Sequence, residues 1–168
     1  MKTLHLLRHA KSSWQDDSLS DRERGLNSRG KKDAPLMGTE LSKILSPTTI
    51  TVSPATRAQL TLKGLCSAWP ELASADHETD EALYTFSSGD LEQWIATQED
   101  SRDTLFIIGH NPALTDLVNT LTRTHSLANL PTAGYVKLRL DIDQWDQLLH
   151  CVAVIDESLT PKQLKKTI

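Results

Sequence analysis

Apolar residues come in short runs along the chain, and the spacing inside each run separates strands from helices. Residues 3–7 form an apolar run almost at the start, which predicts a central strand. Residues 8–27 are polar and charge-rich, include Gly25, and read as a long loop. Ala34, Met37, Leu41, Ile44 and Leu45 then recur at helical spacing, with Pro35 and Gly38 expected to weaken the start of that helix. Residues 49–53, closed by Pro54, suggest a second strand, followed at once by a helix whose face is Ala58, Leu62, Leu65 and Cys66. Residues 78–83 read as extended, and Leu91, Trp94 and Ile95 mark a short helix opened by Ser88 or Asp90. Residues 104–108 are continuously apolar and bounded by Gly109, as in a buried parallel strand. Asn111-Pro112 combines an N-cap with a proline at the first helical position, before the apolar face Leu114, Leu117, Val118 and Leu121. Residues 135–140 alternate as a strand, and residues 148–155 read as one more.

Strands alternating with helices imply an α/β fold: a three-layer αβα sandwich with a mostly parallel central sheet and helices on both faces. The 168 residues suit one domain, 1–168, and show no internal repeat or linker. An aromatic fraction of 5% leaves little for stacking single-stranded nucleic acid, and a net charge of −4 opposes broad phosphate-backbone binding, so no nucleic-acid partner is expected. Nothing approaches the roughly 18 consecutive apolar residues of a spanning helix, and the first residues lack a signal pattern. Cys66 and Cys151 make no disulfide framework. The expected setting is the cytoplasm, away from membranes.

Charge is unevenly placed. Residues 1–33 hold eight Lys or Arg against five acids, whereas residues 71–104 hold ten acids against Arg102 alone. Two solvated faces of opposite sign would account for this; so would an anion site near the N-terminus. The strand ends favour the anion site. Arg8-His9-Ala10 follows the first strand, Arg57 lies just past the second, and His110-Asn111-Pro112 follows the run ending at Gly109. Open α/β sheets bind ligands beyond the carboxyl ends of their strands, so the fold brings these three segments to one rim.

The residue types there suit phosphoryl transfer. Arg8 and Arg57 can fork onto phosphate oxygens, and helix N-termini near Arg57 and His110 add backbone donors. Two arginines and a histidine are expected to clamp the charge that a transferring phosphoryl group spreads over its oxygens, with no metal and no cofactor. A neutral imidazole is the nucleophile, and Arg8 and Arg57 are expected to keep His9 unprotonated. Taken singly, His110 as a loop cap and Arg57 as a surface arginine are equally plain readings. His5, His77, His125 and His150 carry no assigned role. A zinc reading of His5 and His9 fails because their spacing suits a helix face and the segment reads as a strand.

Leu6-Leu7-Arg8-His9-Ala10-Lys11-Ser12-Ser13-Trp14 resembles the opening of the histidine phosphatase superfamily, whose fold is phosphoglycerate mutase-like, and within it the small phosphohistidine phosphatase branch. The resemblance continues through Asp21, Arg24, Leu26, Asn27 and Gly30, then Ser53-Pro54-Ala55-Thr56-Arg57-Ala58 with Thr61. It returns at Gly109-His110-Asn111-Pro112 and at Pro131-Thr132-Ala133-Gly134. It implies His9 as the phosphoryl acceptor, Arg8 and Arg57 as phosphate ligands, His110 as the second histidine with both roles, and Arg24 near the phosphate. The superfamily's acidic proton donor corresponds to Glu81, although the phosphohistidine branch does not always keep it. Ala10 stands where a glycine is usual, and Leu60 where a glutamine is usual; neither touches the chemistry.

The implied activity is metal-independent removal of phosphoryl groups, through a phosphohistidine enzyme intermediate. The implied substrate is a phosphorylated protein, such as a histidine-containing phosphocarrier or phosphotransfer domain. The short chain leaves little room for insertions over the site, and an open pocket suits a protein-borne phosphohistidine. A small-molecule phosphomonoesterase on the same scaffold is one rival. A phosphoprotein-binding module without catalysis is another, and the two intact histidines speak against it.

Overall fold

Among the described residues, 1–166, the computed structural model contains six strands, six helices and three 3-10 turns. The strands are β1 (Lys2–Arg8), β2 (Thr51–Val52), β3 (Glu78–Thr79), β4 (Thr104–Gly109), β5 (Tyr135–Leu140) and β6 (Val154–Leu159). The helices are α1 (Ser28–Ile44), α2 (Thr56–Ala68), α3 (Pro70–Ala73), α4 (Ser88–Ala96), α5 (Ala113–Thr122) and α6 (Pro161–Lys166). The strands make one sheet in the order β3-β2-β4-β1-β5-β6. The pairs β1–β4, β4–β2 and β2–β3 are parallel, while β5 runs antiparallel to both β1 and β6. The expected mostly parallel sheet thus carries one strand of opposite sense, β5, between β1 and the edge strand β6.

Alternation along the central strands creates the layers. Leu4, Leu6, Leu105, Ile107, Val136 and Leu138 point to one face, where α4, α5 and Trp145 cover them. Leu7, Phe106, Ile108 and Tyr135 point to the other face, under α1 and α2. Both faces are sealed, which is why the central runs contain so little polar residue. No helix among the described residues is long and apolar enough to cross a membrane.

Helix α1 starts two turns earlier than its apolar periodicity announces. Asn27 caps it, its side-chain oxygen accepting from the Gly30 N–H at 2.9 Å. Pro35 inside a helix costs about 3 kcal/mol, yet the fully buried Met37 and Leu41 stabilise it by roughly 1.5–3 kcal/mol each. Gly38 strengthens the packing: a Cβ there would lie 2.5 Å from the Leu65 carbonyl oxygen, and one at Gly64 would lie 2.5 Å from the Ala34 Cβ. The two glycines let α1 and α2 cross closely.

Three other boundaries depart from expectation. Residues 148–155 are not one strand; Trp145–His150 is a 3-10 turn that buries Trp145 and Leu148 at its own three-residue spacing, and β6 begins only at Val154. Residues 78–83 are extended only at Glu78–Thr79, after which Glu81–Leu83 winds into a 3-10 turn. Pro112 occupies the cap position of α5, and Asn111 still caps by accepting from the Thr115 N–H at 3.1 Å.

Candidate active site

Strand register sets the rim. Arg8 at the end of β1 stands opposite Gly109 at the end of β4, and Val52 of β2 stands opposite Ile108. The ladder continues one residue further on both sides, through His9 N–H to Gly109 O (3.1 Å) and Ser53 N–H to Ile108 O (3.1 Å). His9, Ser53 and His110 therefore emerge at one level, with the His9 and His110 ring centroids 5.3 Å apart.

Neighbouring backbone pins His9 in place. The Ala133 N–H donates to the carbonyls of both Arg8 and His9 at 3.0 Å, and Ala133 sits in the left-handed region at φ 59°. The Thr61 hydroxyl accepts from the Ala10 N–H at 2.9 Å and donates to the Arg57 carbonyl at 2.7 Å. One threonine thus ties the His9 loop to the helix that carries Arg57.

The His9 ring is 6% exposed, and its Nδ1 donates to the Ala10 carbonyl at 2.7 Å, which leaves the lone pair on Nε2. Burial is the main reason its pKa falls to about 3; the bond to Ala10 opposes the shift, while His110, Arg57 and Arg8 add to it. The arginines were expected to hold His9 neutral, and they rank behind desolvation. His110 is fully buried, with Nε2 paired to the Ser53 hydroxyl at 2.7 Å and Nδ1 facing an Arg57 Nη at 3.4 Å. Burial, then Arg57, lowers its pKa to about 4.

Three guanidinium groups lie near the pair: Arg8 and Arg57 act on both rings, and Arg24 acts on His110. Arg57 is 2% exposed and donates to the Asp21 carbonyl (2.6 Å) and carboxylate (3.0 Å). Arg8 donates to the Leu130 carbonyl at 3.0 Å. Arg24 reaches the Ser12 hydroxyl (2.9 Å) and Asp21 (3.0 Å), under the exposed ring of Trp14 at 3.5 Å. In all three the Nε–H is buried and has no protein acceptor. A buried guanidinium donor without a partner is expensive, and three of them lie near two imidazoles held neutral by burial.

Asp21 is the group the sequence reading left without a role. Its carboxylate joins Arg24, Arg57 and the Tyr84 hydroxyl, and these partners hold it well below the ordinary carboxylate range against the cost of burial. The sequence signals were its place in the matched stretch that runs through Asp21, Arg24, Leu26, Asn27 and Gly30, and its position three residues before Arg24. Tyr84 and Phe86, each with its ring centroid 5.5 Å from that of His110, gave no signal at all.

Glu81 lies at the rim of the site, three residues before Tyr84. Both its oxygens fork onto Arg22 at 2.5 and 2.8 Å on the exposed side of the site, and that pairing lowers its pKa. A general acid works best with the opposite shift, and here the Glu81 carboxylate is engaged in an ion pair. Arg8, Arg24, Arg57, His9 and His110 do come together. His5 stays in the core, stacked between Phe106 and Tyr135.

These pKa values predict two pH responses. The pKa of His5, like that of His110, is lowered to about 4, and that of His9 to about 3. Below about pH 6.5 the unfolded chain binds protons that the folded chain refuses, so stability should fall steadily from there toward pH 4. Denaturant midpoints measured across that range should decline before most carboxylates titrate. The His9 ring stays neutral throughout that range, so its own titration should add no acidic limb near 6.5 to a pH profile of kcat/KM. An NMR titration placing His9 near 6.5 would contradict its burial.

A family model described as the histidine phosphatase superfamily (branch 1) matches residues 4–112, which include all three strand ends of the rim. An uncharacterized chloroplastic protein of Arabidopsis thaliana is 31% identical over 154 residues, covering 87% of this chain and 70% of that protein. Among solved structures, the protein histidine phosphatase SixA complexed with tungstate matches with a TM-score of 0.77 at 21% identity, over 96% of this chain and 99% of that one. A mycobacterial glucosyl-3-phosphoglycerate phosphatase matches with a TM-score of 0.65 at 12% identity, over 92% and 97% respectively. These structural likenesses speak for the fold.

Proposed function

From the premise that the chain belongs to the histidine phosphatase superfamily, branch 1, we propose that it is a phosphatase acting on protein phosphohistidine through a phosphoryl group carried on His9. The observation that carries the proposal is the set of buried, unpartnered Nε–H donors on Arg8, Arg24 and Arg57 around a histidine whose Nδ1 is already spent on a backbone carbonyl.

The chemistry follows from those groups. The Nε2 lone pair of His9 attacks phosphorus of a phosphohistidine whose other ring nitrogen carries a proton from solvent, the phosphorus–nitrogen bond breaks, and neutral imidazole leaves with the electron pair. The arginines match the charge on the transferring oxygens, and His110, fixed by Ser53 and Arg57, flanks them. Water then attacks the phosphorylated His9, releasing inorganic phosphate and restoring the neutral ring. Charge neutralisation by three guanidinium groups assigns no step to a metal.

Substrate class follows from the leaving group. An alkyl phosphate expels an alkoxide and needs a proton donor, whereas imidazole has a conjugate acid near pKa 6.5 and needs little help. Both carboxylates at the site are held in the ionised form, Asp21 by the Tyr84 hydroxyl with Arg24 and Arg57, and Glu81 by Arg22. That arrangement favours phosphohistidine over a small phosphomonoester.

The test compares a phosphohistidine-bearing carrier protein with an alkyl phosphate, in the presence of a strong chelator, for the wild type and Glu81→Gln. Phosphohistidine should turn over undiminished in chelator, with far higher efficiency than the alkyl ester, and Glu81→Gln should change neither rate by more than about threefold. A selective loss of alkyl phosphate hydrolysis in Glu81→Gln, of about 10²–10⁴, would restore the general-acid role and the rival substrate. Activity lost in chelator and recovered with a divalent ion would remove the metal-free mechanism.

A further inference from the structure

Two aromatic rings at the mouth of the site have no part in holding phosphate. Tyr84 and Phe86 meet edge to face, 5.8 Å apart at 79°, and both rings lie 5.5 Å from His110, itself 5.3 Å from His9. Four rings thus run from the nucleophile to solvent.

Both mouth rings are braced. The Tyr84 hydroxyl donates to the Asp21 carboxylate, and the Arg22 guanidinium lies over its ring at 5.7 Å. Phe86 sits between Thr85 and Ser87: the Thr85 hydroxyl donates to Asp90 at 2.7 Å and accepts from the Ser87 N–H at 3.2 Å. Phe86 packs edge to face on Tyr84 and is still 46% exposed, so part of its apolar ring faces water. The surrounding stretch is strongly acidic, and Phe86 is its one phenylalanine. An aromatic face left open beside an anion site matches a ligand that is an anion at one end and a flat ring at the other.

We propose that Tyr84 and Phe86 form a wall that receives the leaving group, and that they determine specificity for phosphoryl groups carried on a planar aromatic ring, above all the imidazole of phosphohistidine. This rests on the phosphatase reading of the same site. In-line displacement sends the leaving group away from His9, and Tyr84 and Phe86 are the other rings that contact His110. An imidazole gains offset or edge contact with the rings there, beyond the area it buries, whereas an alkyl chain gains area alone. Phe86 acts as a specificity residue, and Tyr84 positions it.

The test uses Phe86→Leu, which keeps apolar bulk and removes the ring, with Phe86→Ala as a second variant. Efficiencies are measured on a phosphohistidine peptide, phenyl phosphate and ethyl phosphate, together with inhibition by vanadate, which has no aromatic leaving group. In both variants the ratio of aromatic to alkyl efficiency should fall about two- to tenfold, the scale of one aromatic contact, while vanadate inhibition stays put. Equal losses on all three substrates, no loss on any, or weakened vanadate inhibition would each overturn the wall. Wild-type turnover of none of the substrates would overturn the phosphatase reading and the wall together, whereas turnover with an unchanged ratio in the variants sinks the wall alone.

Discussion

His9→Ala is expected to lower phosphoryl transfer by about 10⁴–10⁶, the scale for removing a nucleophile from a unit that works together. The residual rate would come from the arginines, which still bind and polarise the phosphoryl group. His9 has no substitute at the rim, because the His110 nitrogens are already paired with Ser53 and Arg57. The fold should survive, since the register of β1 against β4 rests on backbone bonds that alanine keeps; circular dichroism would confirm that. In the wild type, a rapid acid-free quench followed by mass spectrometry should find one phosphoryl group on the peptide containing His9. Phosphorus NMR should place it on Nε2, because Nδ1 is committed to the Ala10 carbonyl. Normal turnover by His9→Ala, or a phosphoryl group on His110, would end the proposed mechanism.

The second large effect is expected from Arg57→Lys, which preserves the charge and removes the fork. Arg57 divides its Nη groups between Asp21 and His110 and keeps Nε–H in reserve. A lysine gathers its donors on one nitrogen and lacks the rigid planar fork that spans Asp21 and His110. Losing a preorganised donor of this kind costs roughly 10²–10³ in kcat, and KM should move little if the donor matters chiefly in the transition state. A variant that raised KM alone would make Arg57 a uniform binding contact. Arg57→Ala should also be less stable, because it leaves Asp21 with one guanidinium partner fewer in a partly buried site.

Much of the molecule was legible before any coordinates. Strands β1, β4 and β5 were readable to within a residue or two, because the first two are continuous apolar runs and the third alternates strictly. The meeting of Arg8-His9, Arg57 and His110 followed from strand ends in an α/β sheet. What escaped were features with weak local signals. The start of α1 was hidden by Pro35 and Gly38, which look like breakers in isolation and are tolerated because α2 packs closely on that face. Strand β6 is an edge strand with most of its residues exposed, so it lacks a buried face to mark it, and the apolar pair Leu148-Leu149 drew the strand reading to a 3-10 turn instead.

Side-chain partnership was the other limit. Glu81 stands where an acid was expected and sends both oxygens to Arg22, a residue 59 positions away. Asp21 joins Arg24, Arg57 and Tyr84, and only one of those lies near it in sequence. The neutrality of His9 was expected from neighbouring cations and owes more to burial, a quantity set by helices packed on both sides of the sheet. The sequence by itself determined the layers and the rim, because apolar periodicity and strand ends act over a few residues. Tertiary structure alone decided which charges face each other and which lose water, because pairing and desolvation depend on contacts between distant segments.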